Sequence, residues 1–284
     1  MAPLESPEEL ARRFEREKRA AELQREERLN ETSGRFRIGS VPYLNAVPLT
    51  RGLEEQVLFL PPSQLAERLA RKELDAALVS VTEVLFHDQY DVLDGVAIAA
   101  LGEVVSVFLA HQGPLEKLEV IHCDTASLTS VNLLRVLLAE RGLSPRFEPL
   151  GSYDEAVQKE AVLLIGNPAI EFLRTPHSHQ IWDLGSAWFE LTKLPFLYAV
   201  WALQRGIENN DLRRQLKEAR DFGLDTLDHI IASETAFDLE FRTDYLGWHI
   251  HYHLGSDEKR GLALFMKLLE KHGNRPVYSP RFIA

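Results

Sequence analysis

The stretch Arg37-Ile38-Gly39-Ser40-Val41-Pro42-Tyr43-Leu44-Asn45-Ala46-Val47-Pro48-Leu49 decides the fold. Arg37 to Val41 reads as a strand and Ala46 to Leu53 as a helix. Between them Pro42 and Pro48 fix their own φ and push the preceding residues toward extended backbone, so the connection is stiff. Asn45 stands at the N-cap position, where its amide can satisfy an orphan backbone N–H or face a ligand; the pattern leaves both readings open.

Working outward, Val57 to Leu60 reads as a strand ended by Pro61-Pro62, and Ser63 to Arg71 as a helix capped by Ser63. Ala76 to Ser80 is the next strand. Strands apolar on both faces and alternating with helices predict a mostly parallel sheet covered on both sides. Val96 to Leu101 and Val105 to His111 follow as strands. A second series then predicts strands over 118–123, 146–150, 161–165 and 181–184, with helices over 128–140 and near 153–157. Phe196 to Leu203 reads as a return strand, and beyond Gly206 the spacing predicts helices over 211–231, 236–253 and 256–271.

Those last helices need a sheet to cover. Returning them to the first series gives lobe one as residues 35–110 and 205–284 and lobe two as 111–204, joined by two crossing segments. Residues 1–34 form a separate extension whose Glu- and Arg-rich run from 5 to 31 predicts an exposed charged helix with many (i, i+4) ion pairs. Two lobes with a hinge are the architecture of proteins that close on a ligand.

Composition narrows the function. The chain has 284 residues, 45% hydrophobic and 26% charged, enough for a sizeable core. A net charge of −11 and no basic stripe beyond the N-terminal run argue against nucleic acid and anionic membrane as partners. No apolar run reaches the ~20 residues that span a bilayer, and no signal-peptide pattern opens the chain, so a cytoplasmic location is expected. The lone Cys123 excludes an internal disulfide and lies in an apolar strand, where an inert core thiol is expected. His249, His251 and His253 look metal-like, yet on a helix only His249 and His253 share a face. With no H-E-x-x-H, P-loop or dinucleotide fingerprint, neither metal nor cofactor is expected.

Ligands of open α/β sheets sit beyond the carboxyl ends of the strands, so the loops there hold the candidate residues. They are Tyr43 and Asn45, then Ser80 before a helix start, then Ser127, Thr129 and Ser130 at the start of the 128–140 helix, and Gly166-Asn167 after the 161–165 strand. Helix N-termini favour anions through free N–H groups and the helix dipole. Opposed termini in two lobes point to a small ligand with two negative groups. Local capping is the competing reading for each hydroxyl.

The opening stretch resembles the N-terminal signature of the chorismate dehydratases of the futalosine route to menaquinone. Leu74 to Ser80, Ser127 to Leu134, Asp183 to Trp188 with Leu194 to Ala202, and Tyr245-Leu246 with His251 to Gly255 resemble further blocks of that family, in order, over about residues 36 to 270. The resemblance implies a two-lobed periplasmic-binding-protein-like (type II) fold used as an enzyme; a monomer or homodimer is expected. It implies conversion of chorismate to 3-[(1-carboxyvinyl)oxy]benzoate and water. In that reading Asn45 and Ser80 act catalytically, while Tyr43, Ser127, Thr129, Ser130, Gly166 and Asn167 bind substrate. The family usually carries Asp where this chain has Asn167. A non-catalytic solute-binding protein for a small carboxylate and the 1,4-dihydroxy-6-naphthoate synthase of the same fold are the alternatives. The latter resembles a different N-terminal signature, absent near Val41.

Overall fold

The computed structural model describes residues 7–31, 34–124, 128–206, 209–273 and 275–284. Helix α1 (Pro7–Glu31) is the charged extension, and Arg25 and Arg35 tie the N-terminal region to Asp225 and Asp211. Phe14 and Leu23 on it are exposed.

The body holds two sheets. In chain order the first elements are β1 (Ile38–Ser40), β2 (Val57–Phe59), α2 (Pro62–Ala70), β3 (Ala76–Ser80), α3 (Val81–Phe86) and β4 (Tyr90–Ala100). After them come β5 (Val107–His111), β6 (Val120–Cys123), α4 (Leu128–Glu140), β7 (Arg146–Pro149), β8 (Ala161–Ile165), α5 (Asn167–Arg174), β9 (Gln180–Asp183) and α6 (Leu184–Thr192). The chain then forms β10 (Phe196–Gln204), α7 (Asn210–Asp225), α8 (Leu227–Ser233), α9 (Leu239–Asp244), α10 (Ser256–His272) and β11 (Arg281–Ile283). The first sheet runs β11-β4-β10-β3-β1-β2 and the second β7-β6-β8-β5-β9.

Several expectations are corrected. Each sheet is mostly parallel, as expected, but carries one reversed strand: β10 is antiparallel to β3 and β4, and β5 is antiparallel to β8 and β9. The chain leaves the first sheet at Ala100 and re-enters it opposite, at Phe196, so β10 runs against β4. This path also places β10 in the first sheet and β5 in the second, so the crossings lie near 101–106 and 184–195 rather than at 110 and 205. Helix α2 begins at Pro62 behind Pro61, with no side-chain cap, so Ser63 does not cap it. The predicted 46–53 helix is a 3₁₀ turn over Leu44–Leu49, which the internal Pro48 keeps short.

The expected 236–253 helix is broken. Helix α9 stops at Asp244, a wide turn covers Tyr245–His249, and the chain then extends so that His251 exchanges both backbone hydrogen bonds with Ala99 beside β4. His249 and His253 therefore do not share a helical face; the His251 and His253 rings stack at 5.7 Å, and His249 Nδ1 donates to the Glu103 carbonyl. Helices α5 and α6 and strand β11 go beyond the expected elements.

The core is built on the central strands. Trp188 of α6 meets Phe196 of β10 at 5.1 Å and Phe265 of α10 at 5.9 Å, and its Nε1 donates to Pro195 O at 3.2 Å. Each such buried aromatic contributes on the order of 1.5–3 kcal/mol. Helix α4 of the second half and α10 of the first are clasped at their ends by Glu140, which accepts from Lys271 Nζ at 2.7 Å and from His272. These bonds hold the Glu140 carboxyl below its usual range, His272 contributing most. Its stabilisation is thus present above the ordinary glutamate pKa of about 4.3 and is lost as pH falls through the lowered folded value. Glu140→Gln is expected to cost a few tenths to about 1 kcal/mol at neutral pH. Its melting temperature should converge on that of the parent in acid; an equal deficit at both pH values would remove the ionic account.

Candidate active site

The loop ends anticipated from the strands open onto one cleft between the two sheets. The first half supplies Tyr43, Asn45 and Ser80, and the second supplies Ser130 and Gly166. Ser106 from the first crossing and Tyr198 from β10 complete its polar lining, with Leu78, Ile98 and Ile165 among the apolar walls. Among the described residues no Arg, Lys or His lines it.

Within the 3₁₀ turn the cap position falls on Tyr43, so Asn45 caps nothing. Its Oδ1 is buried without a hydrogen-bond partner, while its side chain bonds the Tyr245 phenol. That phenol donates to Ser106 Oγ at 2.7 Å.

Tyr43 and Leu44 carry the turn across to the other half. The Tyr43 ring lies against Gly166, where an added Cβ would sit 3.3 Å from ring carbons, and Gly166 has φ +67°, a conformation that favours glycine. Leu44 N donates to Asn167 Oδ1 at 3.3 Å. The Asn167 amide supplies an acceptor for this bond without the charge of a carboxylate.

Ser80 ends β3, opposite Ala199 of β10, and its Oγ lies 3.3 Å from Thr82 Oγ1. Thr129 is fully buried and turns to α3 instead of the cleft: its Oγ1 accepts from Thr82 N at 3.0 Å and bonds Thr82 Oγ1 at 3.1 Å. Thr129 thus satisfies an orphan donor of α3 across the two halves. Ser130, also buried, is the hydroxyl of α4 that lines the cleft. Ser127 lies outside the described residues.

Burial and neighbouring charge keep the phenols neutral. Tyr43 is pushed up to about 12, by burial first and then by the Asp124 carboxylate. Tyr153 donates to Asp124 Oδ2 at 2.9 Å and is raised, by burial first and then by that charge. Tyr245 is raised by burial, against the opposing bonds from Ser106 and Asn45. Asp183 caps α6 through Ser186 N at 2.8 Å and also accepts from Val105 N at 2.8 Å, fixing the first crossing against the second. Among the described residues no group of three His, Cys, Asp or Glu side chains is placed to hold a metal ion.

Ser106, Tyr198, Tyr245 and the Asp124–Tyr153 pair were not anticipated. Tyr198 had a signal: it carries the single hydroxyl within the otherwise apolar run Phe196–Leu203. The others become neighbours only through the crossings.

Residues 36–271 match a protein family described as menaquinone biosynthesis. The chain is 35% identical over 258 residues to a chorismate dehydratase of Thermus thermophilus, covering 82% of this chain and 94% of the relative. Among solved structures, protein AF1704 of Archaeoglobus fulgidus superposes with a TM-score of 0.67 at 16% identity, covering 83% of this chain and 97% of that one. The periplasmic aliphatic sulphonate binding protein of Escherichia coli superposes with a TM-score of 0.59 at 14% identity, covering 88% and 93%. At those identities the likeness concerns the fold, which is that of the periplasmic binding proteins.

Proposed function

This chain belongs to the menaquinone biosynthesis family, and we propose that its cleft is the active site of a chorismate dehydratase, a hydro-lyase that forms 3-[(1-carboxyvinyl)oxy]benzoate. The observation that carries this reading is the 35% identity to the Thermus enzyme, which runs through 94% of that relative. The cleft supports it. Chorismate is a small ring with two carboxylates, and the site offers apolar walls with hydroxyl, amide and backbone groups at loop ends.

The chemistry asks for positioning more than for a strong catalyst. The ring C–O bond breaks, the C–H bond on the adjacent carbon breaks, and a ring double bond forms; hydroxyl and proton leave as one water. Aromatisation drives this downhill, so orienting the groups that must move supplies most of what is needed. The substrate's own enolpyruvyl carboxylate takes the ring proton and passes it to the departing oxygen. A lining with no cation among the described residues favours that route, because a nearby positive charge would lower the carboxylate's basicity. Asn45 and Ser80 orient the reacting groups; Tyr43 packs the ring; Ser130 and the backbone at Gly166 hold a carboxylate. Asn167 acts through Leu44, holding the turn that carries Asn45. We place the reaction in the cytoplasm, where the buried free thiol of Cys123 is at home.

Purified protein mixed with chorismate is expected to yield an aromatic product, followed by its ultraviolet spectrum and mass. Chorismate left unchanged at high enzyme concentration, yet bound, would turn the reading to a solute-binding protein.

A further inference from the structure

Twelve buried side-chain polar atoms lack a hydrogen-bond partner among the described residues, and two of them belong to residues that line the cleft: Asn45 Oδ1 and the Tyr198 hydroxyl. An unpaired buried polar group costs stability, so orphans gathered in a ligand cleft are groups waiting for the ligand.

Tyr198 is delivered there by a backbone irregularity. Along the β10–β4 pair Leu197 stands opposite Ala99 and Ala199 opposite Ile98, so Tyr198 is an extra residue in the ladder. A bulge of this kind re-aims a side chain and is found beside active sites. The ring is held edge-on by Phe196 at 4.8 Å, and the residue is 8% exposed. Asn45 reaches the same cleft from the turn after β1.

Their chemistry is complementary. An amide oxygen can only accept, whereas a phenol offers a proton. A carboxylate would meet Asn45 Oδ1 lone pair to lone pair. A hydroxyl satisfies both atoms at once, giving its proton to the amide oxygen and taking one hydrogen bond from the phenol.

We infer that Asn45 and Tyr198 form a subsite for the ring hydroxyl of the substrate, with the Tyr198 O–H donating to the oxygen that departs. This rests on the dehydratase reading. Tyr198 keeps its own proton throughout; its hydrogen bond strengthens as the C–O bond breaks and charge gathers on the departing oxygen. The aromatic product has lost that hydroxyl and leaves both atoms unpaired, which favours its release.

The test is Tyr198→Phe, assayed for chorismate turnover, for inhibition by the aromatic product and for thermal stability, beside Tyr252→Phe. Tyr252 is the other buried tyrosine with an unpaired hydroxyl, and it does not line the cleft. The expected result is a fall in kcat of about 10²- to 10³-fold, the range of one hydrogen-bond donor to a reacting oxygen. Product inhibition and melting temperature should be unchanged, and Tyr252→Phe should turn over like the parent. Turnover of Tyr198→Phe within twofold of the parent, or weakening of product binding in step with kcat, would overturn the subsite. A parent enzyme that leaves chorismate intact would overturn the dehydratase reading itself and this inference with it.

Discussion

Asn45→Ala is expected to lower kcat/KM for chorismate by about 10²- to 10³-fold, the loss seen when a preorganised polar group is removed from a reacting oxygen. The effect should fall on turnover and not on folding. Asn45 Oδ1 bonds nothing among the described residues, so its removal abandons one side-chain bond to Tyr245, whose phenol retains Ser106 Oγ at 2.7 Å. A net cost of about 0.5–1.5 kcal/mol is the scale for one such bond. Asn45→Asp separates shape from charge. It adds a carboxylate to a cleft that no cation lines among the described residues and faces it toward a dianion. Burial and like charge raise the pKa of such a group, so its activity should recover as pH falls and the acid is neutralised. The assay is steady-state kinetics across pH with melting curves of each variant. Undiminished turnover by Asn45→Ala would remove the residue from the chemistry.

How much of this site was legible in the chain depended on whether local pattern or a distant partner set each feature. The 128–140 helix and the 76–80 and 161–165 strands follow from periodicity, and the structure places them at those bounds. Their loop ends converge as the strand-end rule requires, which brings Tyr43, Asn45, Ser80, Ser130 and Gly166 to one cleft. Helix α6 was hidden because Gly185 weakens its helical pattern. The reason for that glycine is tertiary, since a Cβ there would lie 2.3 Å from Gly102 O on the other crossing. The break after α9 was hidden likewise, its extended segment being held by Ala99 of a remote strand. Thr129 misleads for the same reason. Its hydroxyl reads as a helix-start donor for a ligand, and only the approach of α3 shows that Thr82 uses it. Tyr198 is the converse case, an apolar strand position by pattern that a register shift turns to chemistry.

The turn that carries Asn45 depends on one glycine far along the chain. Helix α7 passes beneath the turn so closely that a Cβ at Gly223 would lie 1.9 Å from Pro48 O and 2.6 Å from its carbonyl carbon. Both atoms are backbone, and Pro48 sits in a 3₁₀ turn where a fixed φ leaves little room to yield. Alanine is the better helix former by about 1 kcal/mol, so propensity alone predicts stabilisation by Gly223→Ala. Overpacking costs about 1–3 kcal/mol, occasionally more, and an overlap this deep against a rigid turn belongs at or above the top of that range. The net expectation is destabilisation of about 2 kcal/mol, which lowers the melting temperature by roughly 4–8 °C for a chain of this size. Gly247→Ala is the control, because a Cβ there meets nothing within 4 Å. The structure requires a second effect in the surviving folded enzyme: a turn pushed off α7 moves Asn45 relative to Ser80 and Tyr198, so kcat should fall well below the assay temperature of unfolding. A Gly223→Ala enzyme that melts with the parent and turns over at the parent rate would show that the turn is not held by α7, and that Asn45 is positioned from the other side, through Leu44 and Asn167.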